Sequence, residues 1–148
     1  VPGEFVTYLG PQPRHVVRGA LQECDALVNM SVSESFGMVI VEAWAAGTAV
    51  IVNRNSIAFT DFVSHNKNGW LASSETLERD IETVVFSPGL ARRLGQAGKA
   101  KAPLYDRDII LDEFVSLCND LVQQHAKPQQ SGKTRQQNAE ASTYKEVQ

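Results

Sequence analysis

The sequence has little that would suit a membrane protein or a nucleic-acid-binding protein. No apolar run approaches the roughly eighteen residues that a membrane-spanning helix needs. The formal net charge is -3, whereas a nucleic-acid-binding domain usually presents a basic face. We therefore predict a cytoplasmic protein without a transmembrane segment or a nucleic-acid partner, and we leave open a peripheral association with a membrane.

Metal-ligating residues are also few and scattered. The two cysteines, Cys24 and Cys118, lie far apart, which favours free buried thiols in a reducing compartment over a disulfide. The histidines, His15, His65 and His125, lack the spacing of a metal site. The sequence therefore predicts no metal centre.

The start and the end of the chain differ from its middle. Val1-Pro2-Gly3 contains neither an initiator methionine nor a secretory signal, so we expect a piece of a longer protein or a processed product. Residues 126–148 are rich in Gln, Lys, Ser and Ala and bury too little apolar surface to offset their ordering entropy. We predict one folded domain over residues 1–125 and a disordered polar tail over 126–148.

Apolar runs alternate with helical patterns in the folded part. The runs predict strands at residues 5–9, 26–30, 49–52 and 70–72. The helical patterns fall at residues 14–23, 37–46, 59–64, 74–85, 88–98 and 108–124. This alternation predicts an α/β fold, a Rossmann-like parallel sheet with helices on both faces. Such sheets bind ligands beyond the carboxyl ends of their strands.

One segment, Ser33–Gly47 (SESFGMVIVEAWAAG), combines an apolar helix with two carboxylates. Glu42 has only apolar neighbours three and four positions away, and an unpaired buried carboxylate is costly. It must therefore reach a partner outside its helix or face an open cleft. Glu34 lies in the loop that enters the same helix, while Trp44 is interpreted as a core residue.

The free amides at the start of this helix would form an anion site between the two acids. Ionised carboxylates accept hydrogen bonds from hydroxyl groups, so they suit sugars. A ligand with hydroxyls at both ends and phosphates in the middle would fit, and a nucleotide sugar has that layout. Gly37 would let the backbone approach the ligand closely.

The same spacing allows a purely structural explanation. Glu34 could be a surface acid that the helix dipole favours, and Glu42 could pair with Arg54 or another distant base. Spacing alone does not choose between the two explanations.

The segment SESFGMVIVEAWAAGTAVI resembles the glutamate-x7-glutamate motif of retaining GT-B glycosyltransferases, a large family that includes sucrose synthases and bacterial mannosyltransferases. Similarity continues at Tyr8-Leu9-Gly10, Cys24–Val28 and Asn68–Leu71, so it covers roughly residues 5–122. The resemblance implies the C-terminal nucleotide-sugar-binding domain of a GT-B fold, lacking its first strands.

The resemblance also implies a role for each matching residue, with Glu34 binding hydroxyls of the donor sugar and Glu42 those of the ribose. The other implied contacts are Phe36, Gly37 and Met38 with the donor sugar, Met38 and Val39 with the phosphate, and Gln12 beside the base. No catalytic residue is identified. No metal or other cofactor is expected, because the resemblance implies that helix amides and a basic pair located before Val1 would carry the phosphate charge.

The implied function is a retaining, hexosyltransferase-type enzyme that transfers a sugar from a nucleotide-sugar donor to an acceptor. In this family the acceptor-binding domain and a basic pair for the diphosphate come earlier than Val1. The partner would thus be the N-terminal domain of a parent chain, and the isolated chain would be inactive. The alternative is a non-catalytic nucleotide-sugar-binding or scaffolding remnant. The acceptor and the donor's base and sugar stay undetermined.

Overall fold

A three-stranded parallel sheet forms the centre of the protein in the computed structural model, which describes residues 5–126. The strands are β1 (Ala26–Asn29), β2 (Ala49–Asn53) and β3 (Trp70–Ala72), in the order β1-β2-β3. Ala26 of β1 lies opposite Ala49 of β2, and Ile51 lies opposite Trp70 of β3.

Helices connect and follow these strands. Their bounds are α1 Arg14–Glu23, α2 Met38–Ala46, α3 Ile57–Thr60, α4 Leu77–Phe86, α5 Leu90–Lys101, a 3-10 helix Ala102–Tyr105, and α6 Arg107–Ala126. The chain divides into two compact units, Val1–Ile110 and Leu111–Gln148. The sheet and the site described below belong to the first unit.

Side chains of the fully buried strand β2 point alternately to two hydrophobic clusters. Val50 and Val52 belong to a cluster with Trp44 of α2, whereas Ala49 and Ile51 belong to a cluster with side chains of α4 and α5. Helices therefore cover both faces of the sheet, as a parallel sheet requires. This confirms the predicted fold class.

The predicted strand over residues 5–9 is wrong. This segment has no strand neighbour within the described residues and lies open to solvent, with Phe5 97% and Tyr8 85% exposed. Its sequence has a high β-propensity, but a strand forms only where another strand can pair with its backbone. The strands predicted at 26–30, 49–52 and 70–72 are confirmed to within one residue at their ends.

The short helix predicted at residues 59–64 forms earlier and ends at Thr60. The side chain of Asn68 explains the early end, because its Nδ2 donates to the carbonyl of Phe62 and its Oδ1 accepts the amide of Ser64. Backbone groups held in this way cannot continue the helix.

The cysteines are free, as predicted, but the expectation that they are buried is wrong, since Cys24 and Cys118 are both exposed. The Cys24 thiol donates to the carbonyl of Leu21, and partial burial of the sulfur raises the pKa of Cys24. Among residues 5–126, no helix is long and apolar enough to cross a membrane. The predicted tail at 126–148 lies almost wholly outside the described residues.

Helices α2 and α5 pack with their backbones in close contact. A Cβ atom on Gly95 would lie 2.8 Å from the carbonyl carbon of Gly47, and one on Gly98 would lie 2.7 Å from Cγ of Trp44. Gly47 ends α2 in a left-handed conformation, with φ of 85°. The two glycines of α5 therefore determine how closely α5 packs against α2, the helix that carries Glu42.

Candidate functional site

Helix α2 begins at Gly37, whose conformation requires glycine. Its φ is 78°, in the left-handed region, and a Cβ atom would lie 2.6 Å from Cε1 of Phe59. The loop before it is fixed at its start, because Asn53 Nδ2 donates to the carbonyl of Met30. The sequence thus places the first turn of α2 just beyond the carboxyl ends of β1 and β2.

Free amides are present at this turn. The amide of Ile40 donates to the carbonyl of Gly37 at 2.9 Å, whereas the amides of Met38 and Val39 donate to no acceptor within the described part of the chain. Two unpaired N–H groups at the positive end of a nine-residue helix can bind an anion.

Glu34 lies beside the same turn. The residue as a whole is half-buried, and its carboxylate accepts the amide of Ser35 at 3.2 Å. Its Cγ lies 3.4 Å from the position that a Gly37 Cβ would occupy. Its other carboxylate oxygen forms no hydrogen bond within residues 5–126. The acid therefore keeps an acceptor for a ligand at the start of α2.

The ring of Phe36 also holds the loop before α2 in place. It stacks on Phe62 with ring centroids 5.6 Å apart and meets Tyr105 edge-on at 5.9 Å. This packing holds the backbone of residues 36–38 in place at the helix start. The side chain of Met38, in contrast, is 57% exposed.

Glu42 lies one helical turn after Met38, on the only open side of α2. Ile40 and Trp44 are fully buried, but Glu42 is exposed. It forms no ion pair within residues 5–126, where the single ion pair joins Arg107 and Asp108. The sequence allowed Glu42 either a partner outside its helix or a place facing an open cleft, and the structure shows the open cleft.

Arg54, the partner considered for Glu42, is engaged elsewhere. Its guanidinium donates to the carbonyl of Leu71 at 3.1 Å. Arg54 is therefore not the partner of Glu42 that the purely structural explanation suggested.

Glu42 and Gln12 line one cavity of about 640 Å³ between α1 and α2, here called the α1–α2 cavity. Its lining residues are Gln12, Arg14, His15, Val17, Arg18, Leu21, Glu42, Ala45 and Ala46. The other predicted site residues, at positions 34 and 36–39, surround the first turn of α2 and do not line this cavity.

Sequence reasoning missed three basic residues of this cavity, Arg14, His15 and Arg18. It treated α1 only as an amphipathic helix. A signal was available, because the two arginines are four residues apart and share a helix face. Neither has an acid on α1 within four positions on its C-terminal side.

The described residues offer no cluster of three or more His, Cys, Asp or Glu that could hold a metal ion.

Comparison with known proteins identifies the family to which this chain belongs. The family model described as "Glycosyl transferases group 1" matches residues 2–101, more than half of the chain. The chain belongs to this family. The similarity of the acid-containing motif to GT-B glycosyltransferases is thereby confirmed.

Several known glycosyltransferases are similar to this chain over most of its length. D-inositol 3-phosphate glycosyltransferase of Mycolicibacterium smegmatis is 32% identical over 133 residues, which are 83% of this chain and 29% of that protein. Lipopolysaccharide core biosynthesis glycosyltransferase LpsE of Rhizobium meliloti is 31% identical over 68% of this chain and 30% of its own length. The chain thus spans less than a third of these relatives.

Solved structures support the same fold. Anabaena Alr3699/HepE, crystallised in complex with UDP-glucose, has a TM-score of 0.64 at 24% identity over 70% of this chain and 30% of that chain. The C-terminal domain of a glycosyl transferase group 1 family protein (LpcC) from Francisella tularensis has a TM-score of 0.56 at 20% identity, covering 68% and 51%. The Rossmann-like GT-B architecture of this chain follows from these neighbours and its own topology.

Replacing Gly37 with alanine should destabilise the protein by about 2 kcal/mol, since the left-handed backbone and the contact with Phe59 both become unfavourable. Chemical denaturation would measure the change. Gly89→Ala is the matched control, because Gly89 also precedes a helix with a φ of 75° but has open space around it. Equal losses in the two variants would show that the contact with Phe59 contributes nothing.

Proposed function

We propose that this chain forms the donor-binding part of a retaining group 1 glycosyltransferase that uses a nucleotide sugar. One observation carries the proposal: within residues 5–126, α2 has unpaired amides at its start, and its acid Glu42 lines a cavity without forming an ion pair. A carboxylate left open at such a position is available for a ligand's hydroxyl groups.

Each group has a role that follows from its chemistry. The amides of Met38 and Val39 bind the diphosphate and stabilise the charge that grows on it as the bond to the sugar breaks. Glu34 accepts hydroxyls of the donor sugar, while Phe36 and Gly37 hold the backbone against that sugar. Glu42 accepts the ribose hydroxyls, and Gln12 borders the base.

Along the axis of α2, these groups follow one another in the same order as the parts of a nucleotide sugar. Met38 and Glu42 are four residues apart, which corresponds to about 6 Å along an α-helix. A diphosphate at the first turn would thus be followed by a ribose at Glu42 and by a base further along, in the α1–α2 cavity. Glu34, before the helix, would meet the sugar on the other side of the phosphates.

The comparisons support this proposal at the level of the family. One relative is a D-inositol 3-phosphate glycosyltransferase, and one structural neighbour was crystallised with UDP-glucose. Because this chain spans less than a third of those relatives, we propose that the acceptor site belongs to an N-terminal domain of a parent chain. Transfer of a hexose with retention is part of the proposal, and it requires no metal. No observation favours the alternative of a non-catalytic scaffold.

Calorimetry with UDP and GDP tests the donor site. We expect Glu42→Gln to weaken the binding of whichever nucleotide binds by about tenfold or more, because a charged acceptor for two hydroxyls is lost. Glu82→Gln is the control, since Glu82 on α4 is also exposed and does not line the cavity.

Two results would reject this assignment. One is a folded and complete parent chain that binds none of the nucleotides or nucleotide sugars. The other is Glu42→Gln with unchanged affinity, which would leave the open carboxylate of α2 without a role in the donor site.

A further inference from the structure

Four aromatic rings pack together at the loop that enters α2. They are Phe36, Trp44, Phe62 and Tyr105, here called the aromatic cluster. Trp44 and Phe62 belong to the buried core, and Tyr105 is partly buried against it, whereas Phe36 is 41% exposed. The aromatic cluster therefore extends from the core to the loop that carries Glu34.

The loop before α2 is held in place by few contacts of its own backbone. None of the N–H and C=O groups of residues 32–36 pairs with another backbone group within residues 5–126. The two apolar side chains of this segment are Val32 and Phe36, and Val32 is 69% exposed. The position of the loop backbone therefore depends on how firmly the ring of Phe36 is held by its neighbours.

Tyr105 reaches this ring from a distant part of the sequence. It ends the 3-10 helix after α5, and its ring meets Phe36 edge-on at 5.9 Å and lies 6.1 Å from Phe62. Phe62 is the other ring in contact with Phe36 among the described residues, stacked at 5.6 Å. Such aromatic pairs prefer specific mutual orientations. Removing the ring of Tyr105 would thus take away one of two aromatic contacts of Phe36 and also loosen Phe62.

We propose that Tyr105 is a positioning residue for the donor sugar and that it acts through Phe36. The inference rests on the donor site proposed above, in which the backbone at Phe36 and Gly37 and the carboxylate of Glu34 meet the sugar. The phosphate-binding amides belong to α2 itself, which is fixed by the fully buried Ile40. A looser Phe36 would therefore misplace the groups that meet the sugar and leave the diphosphate contacts largely intact.

Calorimetry on the complete parent chain tests this role with two ligand pairs, UDP-glucose with UDP and GDP-mannose with GDP. Tyr105→Leu should weaken the binding of the nucleotide sugar by about fivefold, because one aromatic contact is lost, and that of its nucleotide by less than about twofold. Tyr105→Phe keeps the ring and should retain both affinities. A purely structural role would weaken the two ligands alike.

Val84→Ala is the control for a general loss of stability. Val84 is fully buried, but it belongs to the hydrophobic cluster on the opposite face of the sheet. Its substitution should leave the ratio of the two affinities unchanged. If Tyr105→Leu does not fold, Tyr105→His, which keeps a smaller ring, replaces it with the same expected direction.

A double-mutant cycle tests whether Tyr105 acts through Phe36. Phe36→Leu should itself weaken the binding of the nucleotide sugar. Adding Tyr105→Leu to this variant should weaken it by less than about twofold further, since two residues that act through one contact are not additive.

The outcomes separate the two proposals. Equal losses for nucleotide and nucleotide sugar, an unchanged affinity for the nucleotide sugar, or full additivity in the cycle would overturn the positioning role while leaving the donor site intact. Failure of the folded parent chain to bind any of these ligands would reject the donor site and the positioning role together.

Discussion

Gly95→Ala is expected to lower the free energy of unfolding by about 3 kcal/mol, at the upper end of the usual cost of overpacking. A Cβ atom on Gly95 would overlap the carbonyl oxygen of Gly47 and lie 2.8 Å from its carbonyl carbon. Both are backbone atoms, so no side-chain rotation can relieve the contact. Helices α2 and α5 would have to move apart, which would also disturb the packing around Trp44.

Urea denaturation of the purified chain measures this loss. Gly19→Ala is the control with the opposite expected sign, because Gly19 lies within α1 and a Cβ atom there would have nothing within 4 Å. Alanine in an open helical position should stabilise the protein by about 0.5–1 kcal/mol. If Gly95→Ala is as stable as the original chain, the close approach of α2 and α5 is wrong.

Trp44→Ala should cost about 4 kcal/mol, since it removes a large, fully buried side chain from the centre of one cluster. The ring meets Phe62 edge-on at 5.5 Å, and the Nζ of Lys101 lies 5.9 Å from its centre. Its Nε1 donates to the carbonyl of Asn68 at 3.0 Å. Denaturant titration followed by circular dichroism measures the loss without relying on tryptophan fluorescence.

Two conservative variants separate the hydrogen bond from the packing. Trp44→Phe keeps an aromatic ring but leaves the buried carbonyl of Asn68 without its donor, so it should still cost about 2 kcal/mol. Trp70→Phe removes a buried Nε1 that has no acceptor in the described residues, and it should cost less than Trp44→Phe. The reverse order of the two losses would contradict the assigned hydrogen bond.

The core strands were predictable because their own residues form apolar runs that are typical of buried strands. Residues 49–52 form an unbroken apolar run, and a strand buried on both faces needs one. Residues 5–9 have an equally strong signal, yet they form no strand here. Pairing depends on a neighbouring strand, and no local pattern reports whether one is present.

The candidate site was predictable only in part. The motif from Ser33 to Gly47 and its resemblance to glycosyltransferases indicated Glu34, Glu42 and the free amides between them. The cavity arginines were missed, because their importance depends on how α1 packs against α2. Arg14 is 28 positions from Glu42 in the chain, and no helical or strand periodicity connects the two.

By itself, the amino-acid sequence determined the alternation of elements, the start of α2 at a glycine, and the presence of two acids around it. These features depend on neighbours within one or two helical turns, where backbone geometry fixes the spacing. Only the tertiary structure decided that Glu42 is open instead of paired with Arg54, and that Arg14 and Arg18 lie across the same cavity. Such relations depend on which helix faces pack together, and packing is determined by the whole fold.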